Sequence, residues 1–189
     1  LCGESVYIRK MPHLKDITTM LSLLSNMGME FSVDHQLNVR VLNPTLKVFS
    51  APYDLVKTMR ASILVLGPML ARYGQARVSL PGGCAIGTRP IDQHLKLLKQ
   101  MGATISVEDG YVIASADKLQ GADLTFDKET VTGTENIIMA ACFAEGKTVI
   151  RNAAKEPEVE DLADFINAMG GKVTGAGTSC IEVIGVDAL

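Results

Sequence analysis

Three short runs of alternating apolar and polar residues each follow a glycine. They are Gly3-Glu4-Ser5-Val6-Tyr7-Ile8-Arg9, Gly74-Gln75-Ala76-Arg77-Val78-Ser79-Leu80 and Gly146-Lys147-Thr148-Val149-Ile150-Arg151-Asn152. Alternation with period two predicts a half-buried strand, and a glycine ahead of it suits the end of a helix. The glycines stand 71 and 72 residues apart. A second signal keeps the same step: Asn26-Met27-Gly28, Gln100-Met101-Gly102 and Ala168-Met169-Gly170. Each closes a stretch with apolar residues at helical spacing, running from about Asp16, Pro90 and Glu158. After each comes a strand (Glu30–Val33, Thr104–Val107, Lys172–Thr174), a polar turn, and a returning strand (Leu37–Val41, Tyr111–Ala114, Ile181–Ile184).

The repeated unit is therefore helix, strand, loop, helix, strand, turn, strand, about 70 residues long. Its first helix is almost wholly apolar, as in Ser62-Ile63-Leu64-Val65-Leu66 and Ile137-Ile138-Met139-Ala140-Ala141, predicted over Leu55 to about Arg72 and Thr134 to about Ala144. A helix apolar all round is a buried one. Its second helix keeps a polar face, as in Asp92-Gln93-His94-Leu95-Lys96-Leu97-Leu98-Lys99-Gln100, and should sit half exposed. The first copy has no first helix, since the sequence opens at Leu1-Cys2-Gly3, and the natural protein is expected to extend at least one helix upstream. A unit of this size buries too little to stand alone, so three units with helices inward and sheets outward should share one core. The expected class is α/β, with residues 1–189 as one domain whose first repeat is truncated.

Composition narrows the function classes. With 47% hydrophobic and 21% charged residues in 189, the chain is of the ordinary globular kind. A net charge of −3 gives no basic field for nucleic acid or an anionic membrane, so any anionic ligand must be held by local arginines and lysines. The longest apolar run, Ile63 to Leu70, falls well short of the ~20 residues of a membrane span and carries Gly67-Pro68. Cys2, Cys84, Cys142 and Cys180 form no CxxC and no zinc-spaced set with histidine, so no metal site or cofactor is expected. Free thiols in a reducing cytoplasm are expected. Cys142 in its apolar helix and Cys180 in its strand both read as small core residues.

Three segments could carry chemistry. The first is Leu80-Pro81-Gly82-Gly83-Cys84-Ala85-Ile86-Gly87-Thr88-Arg89-Pro90-Ile91-Asp92-Gln93-His94, where the other two copies lack the Gly-Gly-Cys. Glycines let backbone N–H groups approach a ligand, and a helix N-terminus starting near Pro90 favours anions. Arg89 adds a forked donor for phosphate or carboxylate. The same surroundings would lower the pKa of Cys84 and make it reactive. The plain alternative, a small residue in a turn beside a surface arginine, stays equally open on spacing alone. The second segment is Ala51 to Ser62, in which Arg60 stands beside an apolar helix and needs a partner, Asp54 or Asp92, or a ligand. The third, Asp127 to Asn136, is its counterpart one repeat later and reads as a capping segment with Thr134 as N-cap. His13, His35 and His94 share no metal spacing, and His94 reads as a plain polar residue of a helix face.

At "APYDLVKTMRAS", "SLPGGCAIGTRPIDQH" and "NAAKEPEVEDLADFINAMGGKV" the sequence resembles the UDP-N-acetylglucosamine 1-carboxyvinyltransferase family of enolpyruvyl transferases. The likeness runs over nearly the whole chain. It implies an inside-out α/β barrel domain, in agreement with the three repeats. It also implies transfer of the enolpyruvyl group from phosphoenolpyruvate to the 3′-hydroxyl of UDP-N-acetylglucosamine. Phosphate would leave in an addition–elimination without a metal or cofactor, in the first committed step of peptidoglycan synthesis. Cys84 would give a proton to the methylene carbon of phosphoenolpyruvate and be open to alkylation by fosfomycin. Arg89 and Arg60 would hold anionic groups of the substrates. Arg89, Pro90, Ile91, Asp92 and Gln93, with Lys128, Glu129, Thr130 and Val131, would line the nucleotide-sugar site.

The resemblance also implies what this polypeptide lacks. The family works in a cleft between two such domains, and only one is here. A lysine and asparagine upstream of the first repeat, and an aspartate base and an arginine of the other domain, are not in the sequence. Without closure around the substrates, this polypeptide alone is expected to turn over negligibly. Two other readings stand beside it: a non-catalytic repeat-built binding module of the same fold, and the sister enolpyruvyl transferase of the shikimate branch, which lacks the cysteine loop.

Overall fold

The computed structural model describes residues 1–57, 59–80 and 91–189. The chain opens with β1 (Tyr7–Ile8), α1 (Lys15–Asn26), β2 (Glu30–Val33) and β3 (Val39–Asn43). These three strands form an antiparallel sheet in the order β1-β3-β2. Next come β4 (Ser50–Ala51), α2 (Tyr53–Val56), a 3-10 segment (Arg60–Val65), α3 (Leu66–Tyr73), β5 (Gln75–Ser79), α4 (Asp92–Gln100), β6 (Thr104–Glu108) and β7 (Tyr111–Ser115). Their strands make a sheet in the order β4-β5-β7-β6, with β4 parallel to β5 and the other pairs antiparallel. The last stretch is β8 (Asp123–Thr125), α5 (Val131–Ala141), β9 (Lys147–Arg151), α6 (Pro157–Ala168), β10 (Val173–Thr174) and β11 (Cys180–Ile184). Its sheet, β8-β9-β11-β10, has the same order and the same senses as the second.

Local chemistry sets the boundaries of these elements. Gly102 and Gly170 follow α4 and α6 at φ 94° each, with no atom within 4 Å of where a Cβ would stand. The left-handed backbone, not lack of room, is what selects glycine there. Asp109 (φ 49°) and Gly110 (φ 77°) join β6 to β7 between the paired residues Glu108 and Tyr111. A two-residue loop with both φ angles positive is the primed turn that matches strand twist, and Asp-Gly is a favoured filling for it.

Burial follows the two helix types. In α5, Gly133, Thr134, Asn136, Ile137, Ile138, Ala140 and Ala141 are all buried, and in α3 Leu66, Gly67, Met69 and Leu70 are. Each buried isoleucine contributes about 1.5–3 kcal/mol relative to exposure. In α4 one face, His94, Leu97 and Leu98, is buried, and Asp92, Lys96, Lys99 and Gln100 stay outside. The inward residues of all three helices join one apolar cluster with the sheets: Val78 and Val112 of the second, Ile150, Ile181 and Val183 of the third.

Three expectations change. Cys180 is exposed, not in the core. Its strand buries Ile181 and Val183, so the period of two turns Cys180 outward with Glu182. The helix predicted over Leu55 to Arg72 is divided into α2, the 3-10 segment and α3. Pro68 has no N–H and its ring would press on the carbonyl of Leu64, so a straight α-helix is disfavoured through this stretch. The α5 helix begins three residues ahead of Thr134, and its N-cap is Thr130.

Candidate functional site

The first turn of α4 and the segment leading into α5 lie side by side. Gln93, in the first turn of α4, donates through Nε2 to the Lys128 carbonyl at 3.0 Å. Its Oε1 accepts from Lys128 N–H at 3.1 Å. One side-chain amide thus pairs with both backbone groups of Lys128, as a neighbouring strand would. One turn along α4, Lys96 Nζ reaches both carboxylate oxygens of Asp127 at 2.7 Å. Both partners are largely exposed, so the ion pair adds little stability and serves mainly to steer the loop. Thr130 caps α5 by accepting from Gly133 N–H at 3.3 Å. Thr134 donates to the Thr130 carbonyl at 2.8 Å and accepts from Ala154 N–H at 3.0 Å, tying the capped turn to the segment behind β9.

The two segments that the resemblance assigned to the nucleotide sugar are therefore adjacent. Asp92, Lys128 and Glu129 are exposed, and Ile91, Gln93, Thr130 and Val131 are half-buried. Asp92 sits in the acidic first turn of α4, where the helix dipole favours it. Cys84, Arg89 and Pro90 lie outside the described residues, as does the side chain of Arg60. The backbone of Arg60 opens the 3-10 segment. Asp54, one partner considered for Arg60, pairs with Lys57 at 2.6 Å.

Beneath these turns lies a buried polar pair, and His94 within it is not the plain polar residue of a helix face that was expected. His94 is only 3% exposed, and Asn136 is fully buried. Asn136 Oδ1 accepts from Gly67 N–H at 2.8 Å, and its Nδ2 donates to the Ile63 carbonyl at 3.2 Å. Those two backbone partners fix which end of the amide is the nitrogen. Nδ2 also lies 3.0 Å from His94 Nδ1. An amide NH2 can only donate, so Nδ1 must accept and the ring proton sits on Nε2. Burial pushes the His94 pKa down to about 4, which keeps the ring neutral. The signal available in the sequence was an asparagine within an apolar helix, but its partners stand 42, 69 and 73 residues away.

Other titratable groups are less eventful. Burial pushes the Cys142 thiol up to about 12, so it is inert as a nucleophile. Glu135, half-buried in α5, is raised by desolvation and then by the nearby Glu158. Among the described residues no group of three or more His, Cys, Asp or Glu could hold a metal ion, and no helix is long and apolar enough to cross a membrane.

A model of the family described as EPSP synthase (3-phosphoshikimate 1-carboxyvinyltransferase) matches residues 1–189. The chain belongs to this family. Within it, the chain is 56% identical over 189 residues to UDP-N-acetylglucosamine 1-carboxyvinyltransferase of Hydrogenovibrio crunogenus (strain DSM 25203 / XCL-2), covering 100% of the chain and 45% of that relative. It is 60% identical over 182 residues to the enzyme of the same name from Halorhodospira halophila (strain DSM 244 / SL1), covering 96% and 44%. The chain thus spans less than half the length of these relatives, and the likeness seen in the cysteine-loop sequence holds over its whole extent. The enolpyruvyl transferase NikO from Streptomyces tendae superposes with a TM-score of 0.80 at 19% identity, over 98% of the chain and 44% of that structure. An EPSP synthase from Acinetobacter baumannii gives 0.79 at 20%, over 100% and 43%. At such identities the structures establish a shared α/β fold.

Proposed function

We propose that residues 1–189 form one domain of an enzyme that transfers the enolpyruvyl group of phosphoenolpyruvate to the 3′-hydroxyl of UDP-N-acetylglucosamine, releasing phosphate. The observation that carries this reading is the 56% identity, over every residue of the chain, to a relative bearing that activity in its name. The sister reaction on shikimate phosphate is disfavoured by the contrast with the 20% identity to a solved EPSP synthase. A non-catalytic module of the same fold would have no use for Cys84, Arg89 and Arg60 together. In this reading the three sheets belong to three copies of one unit, and α3 and α5 are the inward helices of an inside-out barrel. The common strand order of the two four-stranded sheets supports it.

The roles follow the segments. The sugar hydroxyl gives its proton to the aspartate base expected in the other domain and adds to the central carbon of phosphoenolpyruvate, while the Cys84 thiol gives its proton to the methylene carbon. A proton of the new methyl group then returns to the Cys84 thiolate as the bond from carbon to the phosphate oxygen breaks and phosphate leaves with that electron pair. Arg89 and Arg60 hold the anionic groups. Ile91, Asp92 and Gln93 of the α4 turn and Lys128 to Val131 form two adjoining lips against the nucleotide sugar, held together by the Gln93–Lys128 pairing. The full-length protein should release phosphate only when both substrates are present, and this 189-residue polypeptide alone should release none above background. Steady release by the short polypeptide would overturn the two-domain reading. Absence of release by the full-length protein would overturn the reaction.

The Gln93 link gives a narrower test. Two partly exposed hydrogen bonds contribute on the order of 1 kcal/mol together. Gln93→Leu in the full-length protein should therefore raise KM for the nucleotide sugar about fivefold and leave KM for phosphoenolpyruvate within twofold. Equal rises in both constants would argue against a role confined to the nucleotide sugar.

A further inference from the structure

In an uninterrupted α-helix, the Ile63 carbonyl and Gly67 N–H would be each other's partners. Here the Ile63 carbonyl takes Leu66 N–H at the end of the 3-10 segment and also Asn136 Nδ2, while Gly67 N–H donates to Asn136 Oδ1. The Asn136 carboxamide therefore stands across the junction of the 3-10 segment and α3 like an inserted peptide group. The fit is close: a Cβ at Gly67 would collide with the backbone oxygen and Oδ1 of Asn136. Pro68 follows at once, and its ring opposes the simple repair, in which the 3-10 segment rewinds as α-helix up to α3. The same Nδ2 reaches His94 in α4. One buried side chain thus fixes the segment that begins at Arg60 and the helix that follows the cysteine loop.

We infer that Asn136 is a positioning residue for the Arg60 segment, acting through the backbone of Ile63 and Gly67. The inference rests on the proposed reaction only for its effect on substrate. The leverage is large. The 3-10 and α windings differ by about 20° and 0.5 Å per residue, so rewinding six residues turns position 60 by on the order of 120°. Without the brace the 3-10 winding loses its tie to α5, and even partial rewinding displaces the backbone at position 60.

The test uses the full-length protein with Asn136→Leu, similar in volume and unable to bridge. Gly67→Ala is the second variant, since it expels the amide from the other side. Amide exchange at Gly67 should accelerate at least tenfold relative to Met69 and Leu70 in both variants. Unchanged exchange in a folded variant overturns the brace whatever the enzyme does, so this arm is independent of the reaction. The kinetic arm is a double-mutant cycle with Arg60→Ala. Each single variant should raise KM for the same anionic substrate at least tenfold, with kcat changed less, and the double variant should be no worse than Arg60→Ala. Multiplying effects would mean that Asn136 merely stabilises the fold, and would overturn the positioning role. If Asn136→Leu does not fold, Gly67→Ala carries both arms.

Discussion

Cys84→Ala in the full-length protein is expected to lose phosphate release by roughly two to four orders of magnitude, the range a positioned general acid supplies. Binding of the nucleotide sugar should change little, because in the proposed reaction the thiol acts on the other substrate. A second consequence concerns the thiol itself. On the proposed roles, a helix N-terminus and Arg89 would lower its pKa while the site is empty, which would favour the thiolate and make a poor acid. A bound, multiply charged anion reverses the local field and restores the proton. The Cys84 pKa, followed by alkylation rate against pH, should therefore rise when phosphoenolpyruvate is added. A pKa that stays put would remove the acid role. Because Cys180 is exposed and Cys142 is buried with its thiol pushed up to about 12, total thiol counts will mislead. Alkylation must be read peptide by peptide, with Cys142 unmodified as long as the fold holds.

Acid should loosen the fold through His94. Its pKa falls from 6.5 in an unfolded chain to about 4 in the fold. Between those values the unfolded state binds a proton that the folded state refuses. Stability is therefore intact above the unfolded pKa and is lost as pH falls from about 6.5 towards 4. A shift of this size corresponds to on the order of 3 kcal/mol, a large share of a domain's net stability. Desolvation is the cause, and geometry reinforces it, since an imidazolium would turn an N–H against the Asn136 amide, itself a donor. Urea midpoints measured from pH 7 to pH 4 should fall, and His94→Leu should remove about one proton from the slope in that window. The variant will be less stable throughout, because Asn136 loses an acceptor, but only the slope decides. An unchanged slope would mean that the ring is protonated inside the fold.

Much of this fold was legible because its signals are local. The Met-Gly helix ends, the Asp109-Gly110 turn and the alternating strands each depend on a few neighbouring residues, and the structure carries them out. Cys180 was misread because an apolar neighbour was taken as a sign of burial, when strict alternation with Ile181 and Val183 turns it outward. Thr134 was taken for the cap because it precedes the apolar run, yet Thr130 has the extended backbone that a cap needs, at φ −149° and ψ 122°. The divided helix before Tyr73 could have been read from Pro68. Of the residues that the resemblance named, the structure brings Gln93 and Lys128 together, while Cys84, Arg89 and Pro90 lie outside the described residues. What supports these segments was not legible. Asn136 and His94 look ordinary in sequence, and their significance comes from partners brought near only by the packing of α3, α4 and α5.

The Gln93 pairing has a consequence for how the loop can change over time. The amide of Gln93 reads the backbone N–H and carbonyl of residue 128 and nothing of its side chain. Substitution of Lys128 by almost any residue would leave the clasp whole. Proline is the exception, having no N–H to offer. Position 128 is thus free to drift in charge and size, and with it the character of the surface it presents, while the two lips keep their spacing. Position 93 has no such freedom, because only a long side-chain amide can both give and accept across that gap.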